Sequence, residues 1–313
     1  MTTQQEFDAF DSYYDDAKVR IDQRIGEVLN SNEDFILKRR ALEHSVRGGK
    51  RIRPVLTLAA SEVFDSPYDK ALNHAVIVEL IHNASLVADD RADMDEERRG
   101  DSTLWKVVDK IPFGKRGKKV ATQASVLSAN GLVGVAINLA QDPGVVKAVG
   151  RSLDKVLDGF FLEGYNMFTG AVSGGYERYV EINKAKTGGL YALSTWMPAT
   201  YVDAPNEQVK AARKYGETVG ILYQVADDIA DDDLPSVVKD PEEELEKWHA
   251  EAIELVDEMP DHEKQTLLRT APTWVVYKMF EQEGLLGEVT PDFLEPLVEE
   301  QTDDAGADAE ASG

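Results

Sequence analysis

Apolar residues recur at spacings of three and four along almost the whole chain, and this periodicity limits its possible folds more than any other feature. The pattern runs through Phe35 to Val46, Val55 to Phe64, Ala71 to Val87, Val120 to Leu139 and Val146 to Phe161. It returns in Gly188 to Thr200, Val209 to Ile229, Leu245 to Val256 and Leu267 to Phe280. Such spacing gathers apolar side chains on one face of an α-helix. Breakers stand between the segments: Pro67, Pro112-Phe113-Gly114, Asp142-Pro143-Gly144, Gly174-Gly175, Pro205-Asn206, Pro235, Pro260 and Pro272. No alternating run is long enough to make a sheet. The expected fold is therefore all-α, a domain of about ten helices. It is expected to span residues 1–298, because Glu299 to Gly313 is acidic, built of small residues and without apolar periodicity. That composition predicts a disordered tail.

The chain is acidic, with 58 Asp and Glu against 34 Lys and Arg and a formal net charge of −24. A general nucleic-acid binder needs a basic face, so that class is excluded. A surplus of surface carboxylate is a lever that halophilic proteins use, which points to a salt-loving source. The absence of cysteine rules out disulfides and thiolate metal sites. Met1 to Asp16 lacks the basic and apolar regions of a signal peptide, and no uninterrupted apolar run reaches the roughly 18 residues of a membrane span. A soluble, cytoplasmic protein is expected.

Two of the helical segments end in the same acidic pattern, DDxxD. The first copy is Asp89-Asp90-Arg91-Ala92-Asp93, and the second is Asp227-Asp228-Ile229-Ala230-Asp231. On a helix, residues i and i+4 share a face, so each motif presents a carboxylate pair on one side. Carboxylates that close raise one another's pKa unless a cation joins them. Mg²⁺ suits such oxygen ligands and completes its shell with water and substrate phosphates. In so acidic a chain a single DDxxD is commonly a solvated face, but its recurrence after two apolar helices favours a metal site. Cations accompany it. Gly48-Gly49-Lys50-Arg51-Ile52-Arg53-Pro54 sets three of them beside two glycines, Arg98-Arg99-Gly100 follows the first motif, and Lys186-Thr187-Gly188-Gly189 adds an ammonium and a hydroxyl. Arginine forks and lysine point charges are the usual phosphate binders.

With these motifs in this order, the chain resembles the trans-isoprenyl diphosphate synthases. The resemblance runs from about Leu37 to Asp231 and more weakly through Trp248 to Glu283. It also includes His82-Asn83-Ala84-Ser85-Leu86-Val87-Ala88 before the first motif and Gly220-Ile221-Leu222-Tyr223-Gln224-Val225-Ala226 before the second. It implies antiparallel helices around a deep central cavity, usually in a homodimer. It also implies condensation of isopentenyl diphosphate with an allylic diphosphate through an allylic cation. Lys50, Arg53, His82 and Arg99 would hold isopentenyl diphosphate. Arg98, Lys186, Thr187 and Gln224 would serve the allylic substrate. Three Mg²⁺ ions would be bridged by Asp89, Asp90, Asp93, Asp227, Asp228 and Asp231, and Asp89, Asp93, Lys186 and Asp227 would carry the catalytic step. The alternatives are a non-catalytic or regulatory subunit of a heteromeric synthase and, against the GGKRIRP loop and His82, a terpene cyclase.

In this family, bulk on the helix before the first motif limits product length. The small Ala84 and Ser85 here imply C20 or longer. The chain also departs from the family at Ala88, Ser102, Ala129-Asn130 and Tyr165. The larger departure follows Asp231. Where relatives carry a lysine-bearing segment that covers the allylic diphosphate, this chain reads Asp232-Asp233-Leu234-Pro235 and offers only Lys239 nearby.

Overall fold

A computed structural model describes residues 2–31, 36–112, 116–169 and 175–298; the acidic segment 299–313 lies outside the described residues. Among these are twelve helices. The first six are α1 (Gln4–Ser31), α2 (Ile36–Val46), α3 (Ile52–Val63), α4 (Tyr68–Ala92), α5 (Leu104–Asp109) and α6 (Gly117–Ala140). They continue with α7 (Pro143–Thr169), α8 (Gly175–Lys186), α9 (Gly188–Tyr201), α10 (Asn206–Ala230), α11 (Pro241–Val256) and α12 (Gln265–Glu283). The strands β1 (Glu97–Arg98) and β2 (Asp101–Ser102) form a single antiparallel hairpin. The fold is all-α, as expected, and over its described residues each of the nine apolar segments lies in a helix, apart from Phe64, which caps α3.

The helix least evident from composition is α1. Its mean character is polar, yet Phe7, Phe10, Ala17, Ile21, Ile25 and Val28 are buried, and their spacing is that of a narrow helical stripe. Thr2 meets Thr273 at 3.1 Å, and Trp274 Nε1 donates to Asp11 at 2.7 Å, so α1 is fastened to α12. The predicted break at Pro272 falls inside α12 instead. A helical proline leaves the carbonyl four residues earlier without its usual donor. Here that carbonyl, on Leu268, accepts from the Tyr215 hydroxyl at 2.6 Å.

The core has two lobes, one formed chiefly by α9 to α12 with α3, the other by α1 to α4, α6, α7 and α9. Helix α9 is shared by both, and every residue from Gly188 to Ala199 is buried. Helix α10 lies against it so closely that a Cβ on Gly220 would sit 2.6 Å from Gly188 Cα. This approach brings Thr187, at the head of α9, beside the C-terminal half of α10. Helices α4 and α6 have the length and hydropathy of membrane spans, but α4 is largely enclosed by its neighbours, as a core helix is.

Candidate active site

A cavity of about 620 Å³ opens where the ends of α4, α9 and α10 meet the loop before α3. The sequence explains its walls. On one side, Gly48 (φ +69°) and Arg51 (φ +61°) adopt left-handed backbone conformations. That turn starts α3 at Ile52, two residues before Pro54. Opposite, Arg99 and Gly100 have φ +56° and +75° as the two central residues of the β1–β2 hairpin. Two positive φ values in a two-residue loop define a type I′ turn, which accounts for the glycine after the paired arginines.

Lys50, Arg53, His82, Asp89, Arg98, Arg99, Lys186, Thr187, Gln224 and Asp227 all line this cavity. Arg53 lies 4.4 Å from the centroid of the Tyr191 ring and 5.7 Å from that of Tyr223, and its buried Nε has no partner. A desolvated guanidinium with an unused donor favours an anion. Arg53 Nη1 stands 3.2 Å from His82 Nε2. Guanidinium has no acceptor, so Nε2 must accept, which leaves the imidazole proton on Nδ1. Burial first, then Arg53 and Arg99, hold the His82 pKa well below its ordinary value, so the ring is a neutral donor and acceptor. Thr187 Oγ1 donates to Gln224 Oε1 at 2.8 Å, joining the head of α9 to the C-terminal half of α10. Lys186 is paired with Glu163 at 2.6 Å, and Gly159 makes room for it, since a Cβ there would come within 2.8 Å of Lys186 Cα.

The six aspartates divide into three kinds. Asp89 and Asp227 face the cavity. Asp93 and Asp231 cap the C-termini of α4 and α10 at the exposed rim. Asp90 and Asp228 are engaged by protein donors: Asp90 pairs with Arg98, while Asp228 accepts from Gln224 Nε2 at 2.8 Å and the Tyr179 hydroxyl at 2.6 Å. Burial pushes the Asp227 carboxyl up to about 6, with Asp231 and Asp228 adding to it. Asp89 is raised as well, chiefly by burial and against the pull of Lys186. Crowded, desolvated carboxylates facing a wet cavity fit a hard divalent cation. Among the described residues no three His, Asp or Glu side chains form a complete metal cluster, so a bound Mg²⁺ would draw further ligands from water or a phosphorylated ligand.

Sequence reasoning grouped Arg51 with the phosphate-binding cations; it borders the cavity, but its guanidinium is engaged by Glu79 at 2.6 Å and Asp22 at 2.7 Å. Two site residues were not singled out by sequence reasoning. Glu79, which also borders the cavity, is a lone acid within the apolar run of α4. Tyr179, which holds Asp228, lies in a polar helix that gave no apolar signal. Lys239 is exposed and does not line the cavity, so it does not fill the place of the lysines missing after Asp231.

A family model for polyprenyl synthetases matches residues 37–245. The geranylgeranyl pyrophosphate synthase of Geoglobus acetivorans is 33% identical over 214 residues, which are 67% of this chain and 64% of that protein. By sequence, the chain therefore spans somewhat less than two thirds of that relative's length. The hexaprenyl pyrophosphate synthase of Saccharolobus solfataricus is 29% identical over 69% of this chain and 70% of its own. The solved geranylgeranyl pyrophosphate synthetase from Geoglobus acetivorans superposes with a TM-score of 0.72 at 22% identity, covering 84% of this chain and 98% of that one. At that identity it establishes the shared fold.

Proposed function

The chain belongs to the polyprenyl synthetase family, and on that premise we propose that it condenses isopentenyl diphosphate head-to-tail with an allylic diphosphate. The observation that carries this reading is the meeting of Asp89, Asp227 and two separate sets of cations in one cavity. A transferase for two diphosphates needs two anion sites, and only one of them needs a leaving group stabilised.

Lys50, Arg53, Arg99 and neutral His82 receive the diphosphate of isopentenyl diphosphate. Arg98, Lys186, Thr187 and Gln224 receive that of the allylic substrate. Asp89 and Asp227, with Asp93 and Asp231 at the rim, would hold Mg²⁺, three ions by analogy with the family, and Asp90 and Asp228 would support them from behind. Mg²⁺ there would supply positive charge against that developing on the departing pyrophosphate. Lys186 leaves Glu163 to act on the same oxygens, which is preorganised electrostatic catalysis. The allylic C–O bond breaks, the alkene carbon of isopentenyl diphosphate bonds to the resulting cation, and a proton leaves to pyrophosphate. Leu86, Val156, Phe160 and Leu190 line the apolar part of the cavity and keep water from the cation.

The small residue on which the chain-length reading rests, Ala84, is buried beside Ser85, which lines the cavity; their small side chains support a product of C20 or longer. The names of the relatives span geranylgeranyl and hexaprenyl products. An exposed apolar stripe on α6 and α7, including Leu127, Ile137, Leu157 and Phe161, supports a homodimer. The missing lysine segment favours one second reading, a subunit that needs a partner. One relative is a heterodimeric geranylgeranyl pyrophosphate synthase large subunit.

The test is incubation of the pure protein with Mg²⁺, isopentenyl diphosphate and each allylic primer in high salt, followed by mass analysis. Polyprenyl diphosphate of C20 or longer is expected. Activity only after adding a second synthase would favour the subunit reading, and hydrocarbon from an allylic diphosphate alone would indicate a cyclase.

A further inference from the structure

Glu79 lies in the middle of α4, with 2% of its surface exposed, and its carboxylate serves two neighbours that are buried as deeply. Oε1 accepts from Arg51 Nη1 at 2.6 Å and from Asn83 Nδ2 at 2.8 Å. Each neighbour leads to a different wall of the cavity. Arg51 also donates to the Val46 carbonyl at 2.7 Å and to Asp22 of α1 at 2.7 Å, and it holds a left-handed backbone conformation. A non-glycine residue persists there only when its surroundings over-determine it. With Arg51 anchored inward, its neighbours Lys50 and Arg53 are left at the cavity. Asn83, from its other end, accepts from Arg99 Nη1 at 3.3 Å. The contacts are tight: a Cβ on Gly49 would lie 2.9 Å from Glu79 Oε1 and would strike the Arg51 guanidinium.

We infer that Glu79 is a positioning residue that sets both walls of the isopentenyl diphosphate site, the Lys50–Arg53 loop through Arg51 and the Arg99 hairpin through Asn83. Glu79 borders the cavity, but its Oε1 is committed to Arg51 and Asn83, so it acts through them. Its carboxylate fixes cations that would otherwise separate, since Lys50, Arg53 and Arg99 repel one another and no diphosphate is yet present to hold them. The assignment depends on that wall receiving isopentenyl diphosphate as proposed. A buried acid serving only the core would affect folding and leave the anion affinity of folded protein unchanged.

The experiment compares wild-type protein with Glu79→Gln and Asn83→Ala, the second cutting only the Arg99 arm. Thermal melts establish that each variant is folded. Inorganic pyrophosphate is then titrated calorimetrically in EDTA, where the metal-dependent site is silent, and steady-state kinetics are run with each substrate varied. Glu79→Gln is expected to weaken pyrophosphate binding about tenfold or more, as befits loss of a charge-assisted hydrogen bond. KM for isopentenyl diphosphate should rise in step while KM for the allylic substrate stays within about twofold. Asn83→Ala should shift the same quantities less. Should Glu79→Gln not fold, Asn83→Ala alone decides the Arg99 arm. Unchanged pyrophosphate affinity and KM in folded variants overturns the inference. A wild type that makes no product but binds pyrophosphate more tightly than Glu79→Gln would overturn the proposed reaction and leave the positioning role standing.

Discussion

Gly220→Ala is the substitution that most directly tests how the fold positions the chemistry. The added Cβ would lie 2.6 Å from Gly188 Cα, 3.0 Å from Gly188 N and 3.1 Å from Tyr191 Cβ. Carbon atoms rest at about 3.5–4.0 Å, so α9 and α10 must part locally by roughly 1 Å. The obstruction is backbone, which has no rotamer to yield. Overpacking of this kind costs about 1–3 kcal/mol. Displacement also stretches the 2.8 Å bond from Thr187 to Gln224, whose loss adds about 1 kcal/mol. The sum, roughly 2–4 kcal/mol, corresponds to a fall in Tm of several degrees at about 2–4 °C per kcal/mol. Gly188 directly follows Thr187, and Gly220 is one helical turn before Gln224 and two before Asp227. A shift near 1 Å therefore reaches the reacting groups without attenuation, and misplacement on that scale can lower turnover about 100-fold.

The assay pairs a thermal melt with product formation, using Gly26→Ala as the control. Gly26 lies within α1, and a Cβ there would meet nothing within 4 Å, so alanine should stabilise the helix by about 0.5–1 kcal/mol. If Gly220→Ala matched Gly26→Ala in both Tm and turnover, the close approach of α9 and α10 could not be what places Thr187 and Gln224.

Asp89→Ala or Asp227→Ala should abolish turnover, whereas Lys50→Ala should chiefly raise KM for isopentenyl diphosphate; near-wild-type rates in either aspartate variant would refute the metal assignment. Gly159→Ala, which pushes on the Lys186 backbone, should raise KM for the allylic substrate, while Lys239→Ala should leave both KM values unmoved. Burial lowers the pKa of His74 and of His249 from 6.5 to about 4. The unfolded chain then binds the more protons between those values, so this stability is fully present above about pH 6.5 and is lost as pH falls toward 4. The Tm of a His74→Gln/His249→Gln double variant should accordingly depend less on pH over that window, and parallel Tm–pH curves would disprove the contribution.

The helices and the cavity's inventory of charged groups were legible in the sequence for a common reason: both are written in short-range spacing. Apolar periodicity specifies α4 or α10 without reference to the rest of the chain, and DDxxD places Asp89 over Asp93 on any helix. Orientation is different, because it depends on partners far away in sequence. Nothing local distinguishes Arg51 from Lys50 and Arg53. Its inward turn is set by Glu79 and Asp22, each nearly thirty residues away. Likewise α1 conceals a buried stripe within polar surroundings, and its value appears only once α12 is laid against it.

The two aspartate motifs diverge for the same reason. Identical in spacing, they are held by different chemistry. Asp90 is neutralised by Arg98, a cation delivered by the hairpin that follows its own helix. Among the described residues Asp228 pairs with no cation; its donors are the neutral Gln224 and Tyr179. Helix α8 is in turn tied to α11 through Tyr176, which donates to Glu244. With the family's lysine-bearing segment absent, the chain has braced the second motif with hydroxyl and amide donors, which fix geometry without cancelling charge. The field is only partly offset at Asp227, whose carboxyl is pushed to about 6 by burial and by Asp231 and Asp228 against the pull of Lys50 and Arg53. A Mg²⁺ ion bound there as proposed would add at the second motif the kind of positive charge that Arg98 gives Asp90 at the first.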